Sequence, residues 1–151
     1  MGGTLKRLVD QKHDVHVAYE TSGNIAVGDE DMFRYILVMD QIQKEFGLDS
    51  ETYLEKSKQI KEFLKQKHPG DVDSAEIRFL KGRIRRAEAK TACNWMGVKP
   101  ENVHHLDLPF YETGTIKKGD LSEKDVKIVK DLIMSVKPHH IFVAGDLADP
   151  H

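Results

Sequence analysis

Three side chains near the carboxyl end of the sequence could do chemistry together: Asp146, Asp149 and His151. They follow Ile141-Phe142-Val143-Ala144, an apolar run that reads as a buried strand. In a parallel α/β sheet, the loop after a strand's carboxyl end is where ligands bind. Carboxylates and an imidazole placed there can ligate zinc, orient a water or stabilise a developing oxyanion. A polar turn closing a strand would use the same residue types, so spacing alone leaves both readings open.

Other candidates lie earlier in the chain. Arg83, Arg85 and Arg86 precede Glu88 in a helical pattern, and Arg85 and Glu88 stand i, i+3, where they can pair on one face. A guanidinium near a strand-end site could grip a hydroxyl, carboxylate or phosphate by a forked contact. A solvated basic helix face has the same charge pattern. Thr21-Ser22-Gly23 follows an alternating segment and could offer a hydroxyl or backbone donors, although such turns are common. Phe110 and Tyr111, in a glycine-containing loop from Pro109 to Gly119, could wall a sugar or pack into the core. His104-His105 and His139-His140 are adjacent pairs. Neighbours on a strand point to opposite faces, so neither pair is a ready two-ligand site and both read as structural. His13 falls in a turn, His16 flanks a strand, and His68 sits in an exposed Pro-Gly turn. Gly2-Gly3 could lend backbone to an anion site, but with neither GxGxxG nor a Walker motif, nucleotide binding is poorly supported.

These residues need elements to position them. Leu5, Leu8 and Val9 predict a helix over about 4–11, and alternating Val15, Val17 and Tyr19 a strand over 14–20. A helix over 31–46 carries Met32, Phe33, Ile36, Leu37, Met39 and Ile42 on one broad face, with Gly47 as its stop. A second begins at Ser50-Glu51 and runs to about 67, with Tyr53, Leu54, Ile60 and Leu64 inward. A third spans about 74–96, its buried stripe marked by Ile77, Leu80, Ile84, Ala87, Ala92 and Trp95. Strand 103–108 follows, and Ser122 with Asp125 resembles a capping box. That box opens a helix whose stripe is Val126, Val129, Leu132, Ile133 and Val136. Pro138 ends it, and a last strand covers 140–144. Strands separated by helices mean crossovers and a mostly parallel sheet. An opening helix with no strand before it is unusual in that class, so the sequence reads as lacking its first strand.

Bulk properties exclude several classes. A chain of 151 residues suits one domain, and a formal net charge of −2 gives no field favouring nucleic acid or an anionic membrane. No apolar run is long enough to span a bilayer, and no signal peptide is evident. Lys6 stands where a myristoylation start wants Ser or Thr. The single cysteine, Cys93, cannot form an internal disulfide and fits a reducing compartment, so the expected location is cytoplasmic.

Together these features resemble the PIG-L/LmbE-like deacetylases. The segments that carry the resemblance are Gly2-Gly3-Thr4-Leu5, Val17 to Gly23 ending Thr-Ser-Gly, Arg85-Arg86-Ala87-Glu88 through Met96-Gly97-Val98, and Asp149-Pro150-His151 after an apolar run. The resemblance covers nearly the whole chain. It implies a Rossmann-like three-layer α/β/α fold and zinc-dependent removal of the acetyl group from an N-acetylglucosamine-type amide. It also implies that His151 helps hold the tetrahedral oxyanion, that Asp149 orients His151, and that Arg85 grips substrate with Ser22 and Asp146 beside it. The family's zinc ligands and general base come from a His-Pro-Asp-Asp motif before the Gly-Gly pair and from the second histidine of an HxxH motif. None of these has a counterpart here. Residues 1–151 are therefore expected to be a partial deacetylase domain, inactive and binding no metal tightly, with zinc present in the intact protein. The helical segment about 28–70 looks like an insertion found in the version fused to a glucosamine-6-phosphate deaminase-like domain. Its partners would be a small amino-sugar substrate, that fused domain and, through unpaired sheet edges, other copies of itself. Nucleic acid and membrane are not expected. Two alternatives stay open: a non-catalytic module binding a sugar phosphate or a protein through Arg83–Arg86, and an amino-sugar-phosphate deaminase or isomerase by association.

Overall fold

The computed structural model describes residues 2–48, 50–68 and 70–143. In chain order the elements are α1 (Gly2–Asp10), β1 (Val17–Tyr19), α2 (Asp29–Glu45), α3 (Glu51–Gln66), α4 (Ala75–Met96), β2 (Val103–His105) and α5 (Glu123–Val136). Short 3₁₀ turns at Asn24–Ala26 and Pro100–Asn102 precede α2 and β2. The chain divides into two compact units: Gly23–Glu88, and Met1–Ser22 with Ala89–His151. Among the described residues, no helix is long and apolar enough to cross a membrane.

The Gly23–Glu88 unit is helical. Three acidic residues in the first turn of α2, Asp29, Glu30 and Asp31, suit the positive end of its dipole. Ser50 caps α3, its hydroxyl accepting from the Tyr53 N–H. Val27, Met32, Ile36, Ile60, Leu64 and Ile77 are buried together, with Phe33, Phe63, Leu80 and Ile84 packed around them. Polar ties complete the unit. Asp40 of α2 accepts from Tyr53 (2.9 Å), Ser57 (2.6 Å) and Lys61 (2.8 Å) of α3. Burial pushes the Asp40 carboxyl up, but these three donors outweigh it and hold the group below its usual range. The same burial and the adjacent Asp40 push the Tyr53 hydroxyl up to about 12.

The apolar faces here are narrower than the sequence predicts. Leu37, Met39 and Ile42 of α2 and Leu54 of α3 are exposed. A helix packed on one side buries a stripe, not its whole apolar circumference. Ala87, in the middle of α4, is also exposed.

The other unit contains the sheet. β1 and β2 pair in parallel, Val17 opposite Val103, Ala18 opposite His104 and Tyr19 opposite His105. The ladder continues past both strands, with Leu106 N–H donating to Tyr19 (2.9 Å) and Leu108 N–H to Glu20 (2.8 Å). At the other end, the Asn102 amide donates to Asp14 (3.0 Å) and to the Val15 carbonyl (3.1 Å), fixing the entry to both strands. Gly97 ends α4 with φ 81°, a left-handed conformation that favours glycine, and a Cβ there would stand 3.0 Å from Val9 Cγ1 of α1. At the start of α5, Ser122 and Asp125 form the expected capping box.

Parallel strands joined through helices place the chain in the α/β class read from its sequence, although among the described residues the sheet has two strands. The apolar segment 140–143 differs from expectation: it has no strand pairing, and Ile141, Phe142 and Val143 are exposed. An apolar run becomes a strand only by pairing with a neighbour's open backbone groups, and among the described residues this run makes no such pairing. Trp95 also differs. It lies five full turns from Ile77 and so on the same helix face, yet it is 81% exposed, and Ala92 is exposed as well. The side buried at that end of α4 carries Cys93. Val126 and Ile133 of α5 are exposed where a buried stripe was expected.

Candidate functional site

Because β1 and β2 are parallel, their carboxyl ends share one edge of the sheet. Thr21 and Ser22 follow β1 there, and the segment leading into Pro109–Gly119 follows β2. Such an edge is where open α/β sheets bind ligands. Glu112 ties the two segments together. Its Oε1 accepts from the Thr21 hydroxyl (3.0 Å) and the Ser22 N–H (2.7 Å), and its Oε2 accepts from the Ser22 hydroxyl (2.8 Å). Two oxygens of one carboxylate thus fix three donors of one turn. Hydrogen bonds to an ionised acceptor are stronger than neutral ones.

The loop that carries Glu112 is itself positioned by local bonds. Tyr111 and Glu112 N–H both donate to the Leu108 carbonyl, and Gly119 N–H donates to Phe110 (2.8 Å). Phe110 N–H donates to Asp125 Oδ1 (2.8 Å), so the residue that caps α5 also anchors the loop. The Ser122 hydroxyl and the Phe110 N–H, bonded to Asp125, hold its carboxyl below the usual range. Phe110 and Tyr111 meet edge to face with centroids 4.9 Å apart, and Lys118 lies over the Tyr111 ring at 5.4 Å. These two aromatics are half-buried against each other.

Histidines line the sheet without forming a ligand set. His104 and His105 point to opposite faces, as strand neighbours must. His104 stacks on His16, with His16 Nδ1 and His104 Nε2 2.9 Å apart, and His105 stacks on Tyr19. Burial, and then the neighbouring His16, lower the His104 pKa from its ordinary 6.5. Cys93 is buried, its sulfur 3.5 Å from the Tyr19 hydroxyl.

Of the residues singled out by sequence, Ser22 is held at this edge by Glu112. Arg85 belongs to the Gly23–Glu88 unit, half-exposed on α4 and ion-paired with Glu88 at i, i+3. Its side chain lies against Gly23, which has φ 69°, and a Cβ there would stand 3.3 Å from Arg85 Cγ and Nε. Asp146, Asp149 and His151 lie outside the described residues. Glu112 was not singled out by sequence reasoning. The available signal was a carboxylate inside a strand-end loop, overshadowed by the aromatic pair beside it. Among the described residues, no group of three His, Cys, Asp or Glu side chains could hold a metal ion.

A glucosamine-6-phosphate deaminase-like protein of Bacteroides thetaiotaomicron is 55% identical over 152 residues; the match covers 100% of this chain and 23% of that protein. The chain thus spans under a quarter of that relative's length. No solved structure matches the chain. The family model described as "PIG-L: GlcNAc-PI de-N-acetylase" matches residues 1–151, the whole of the sequence. A match of that extent, on a chain whose parallel strands end at one clasped edge, makes this chain a member of the PIG-L de-N-acetylase family.

Proposed function

We propose that this chain supplies the substrate-facing part of an N-deacetylase acting on an N-acetylglucosamine-type amide. The observation that carries the reading is the family match over the whole chain. The edge formed by Thr21, Ser22 and Glu112 supports it, because it lies where a parallel sheet receives its ligand. In this reading Ser22 contacts the sugar, Arg85 grips a hydroxyl or phosphate through its forked donors, and Asp146 adds a further contact. His151, oriented by Asp149, stabilises the oxyanion that forms when the acetamide carbonyl is attacked. The helical segment about 28–70 is an insertion in the domain.

The family resemblance implies zinc as the Lewis acid. The described residues do not fit it, since they bring no three ligating side chains together. The proposed role of this chain is to bind and orient substrate and, through His151, to stabilise the oxyanion. The longer relative's name points to amino-sugar phosphates, so glucosamine 6-phosphate derivatives are the first substrates to try.

The test is release of free amine from N-acetylglucosamine and its 6-phosphate, with zinc supplied. The 151-residue chain is expected to release none above the buffer rate and to bind zinc without stoichiometric tightness. A longer protein containing it is expected to turn over, with Arg85→Ala raising KM at least about tenfold by loss of a charge-assisted contact. Turnover by the short chain would overturn the division of labour. Absence of turnover by the longer protein on either sugar would overturn the deacetylase reading.

A further inference from the structure

Helix α2 carries apolar residues on two faces. Met32 and Ile36 are buried in the core of their unit. Tyr35, Met39, Ile42 and Phe46 are exposed, Phe46 at 71%. At about 100° per residue, these four fall within about 30° of one line along the helix, a line about 50° from Met32 and about 90° from Ile36. Val38, also exposed, widens the stripe. Single exposed apolar residues are ordinary, but a row of them at helical spacing marks a contact surface.

The stripe is symmetric about its own middle. Positions 35 and 46, and positions 39 and 42, are equidistant from the point between Asp40 and Gln41. An antiparallel copy of the same helix therefore sets Tyr35 against Phe46 and Met39 against Ile42, and then repeats both contacts. The charges agree with this arrangement. Arg34 and Glu45 lie on the same flank of the stripe, and same-flank residues face each other in an antiparallel helix pair. Arg34 of each copy thus meets Glu45 of the other. Arg34 is already ion-paired with Asp31 of its own helix, but a guanidinium has five donors and can hold a second carboxylate.

We propose that this face of α2 is a homodimer interface, its occupant a second copy of the chain docked antiparallel about a two-fold axis. A self-complementary patch is what an isologous contact requires. One face of a 17-residue helix is about 25 Å long, which places the contact at the small end of specific interfaces and makes the dimer micromolar rather than nanomolar.

The test is the mass of the 151-residue chain in solution, by light scattering from micromolar to millimolar concentration. The wild-type chain is expected to pass from monomer to dimer across that range. Ile42→Glu, at an exposed position, is expected to stay monomeric with an unchanged circular dichroism spectrum. Arg34→Glu alone and Glu45→Arg alone should each weaken the dimer about tenfold by setting like charges opposite each other. The double variant Arg34→Glu/Glu45→Arg should restore it. A wild-type chain that stays monomeric throughout, a dimer that survives Ile42→Glu, or a double variant that remains as weak as the singles would each overturn the proposal.

Discussion

The two units of this chain treat their polar groups in opposite ways. In Gly23–Glu88, charge is gathered and closed on itself. Lys81, 3% exposed, donates to Asp29 (2.6 Å) and Asp73 (2.8 Å), and Lys67 donates to the same two carboxylates. Two positive and two negative charges then balance beside a core of buried Met, Ile, Leu and Val. In the other unit, buried polar side chains reach outward along the backbone. Asn102 holds the strand entry, Asp125 holds the Phe110 loop, and half-buried Glu112 holds the Thr21-Ser22 turn. The first pattern stabilises a scaffold. The second sets the positions of loops at the carboxyl ends of the strands, where a hydrogen bond contributes geometry more than net stability.

The comparison predicts that the closed network is the more expensive to break. Lys81→Met should destabilise the Gly23–Glu88 unit by about 3–5 kcal/mol, because it leaves two carboxylates sharing one lysine in a partly dry site. Urea denaturation followed by circular dichroism measures this. A loss below about 1 kcal/mol, the size of a solvated pair, would show that water already screens the network. The network also has a pH signature. Burial opposes the Asp29 charge, but Lys81 and Lys67 outweigh it and lower the pKa from 3.8. Burial likewise opposes the Lys67 charge, but Asp73 and Asp29 outweigh it and raise the pKa from 10.5. The Asp29 contribution is full above 3.8 and is lost as pH falls through the folded value. The Lys67 contribution is full below 10.5 and is lost as pH rises through the folded value.

The sheet unit should respond nearer neutrality. His104 has a folded pKa below 6.5, so its contribution is full above 6.5 and is lost as pH falls from there through the folded value. The groups around the His16–His104 contact are Asp14, 3.5 Å from His16, and Lys99, which donates to Asp14 (3.2 Å). A proton added to His104 puts a positive charge into a part-buried stack against His16. Relative to the intrinsic exchange rate, which itself falls as pH falls, protection of the Tyr19 and His104 amides should drop as pH goes from about 6.5 to about 5, the range in which histidine titrates. His104→Phe should flatten that dependence. An unchanged pH profile in this variant would assign the effect elsewhere.

The difference between the units also explains what the sequence revealed. Local rules were legible wherever one residue type answers one backbone need. Ser122 with Asp125 reads as a cap, Gly47 as a helix stop, and alternating Val17 and Tyr19 as a strand. Apolar faces were legible only up to the point where tertiary packing chooses among them. Ile77 and Trp95 share a face by periodicity, yet only Ile77 is buried. The 140–143 run has strand composition but no partner ladder among the described residues. Glu112 was invisible for a different reason. Its meaning comes from a turn 90 positions away, and no local pattern encodes that pairing. Ser122→Ala is the corresponding check on a locally encoded feature. It should cost about 1 kcal/mol as a lost cap and raise amide exchange at Phe110, whose N–H depends on the Asp125 that Ser122 bonds.

The smallest effect on stability is expected at the residue given the largest functional role. Arg85 is about half exposed and pairs with Glu88 one turn away on the same helix. Pairs of this kind contribute about 0.2–0.5 kcal/mol, so Arg85→Ala should leave the denaturation midpoint of the Gly23–Glu88 unit almost unmoved. Gly23→Ala approaches the same place from the other side. It imposes the left-handed strain of φ 69° and sets a methyl 3.3 Å from the Arg85 side chain. That variant should lose about 1 kcal/mol from the backbone alone and displace the guanidinium as well. If Arg85 grips substrate, both variants raise KM in a longer protein containing this chain, although only one of them loses stability. If Arg85 is simply a solvated helix residue, KM follows stability, and Arg85→Ala behaves as wild type.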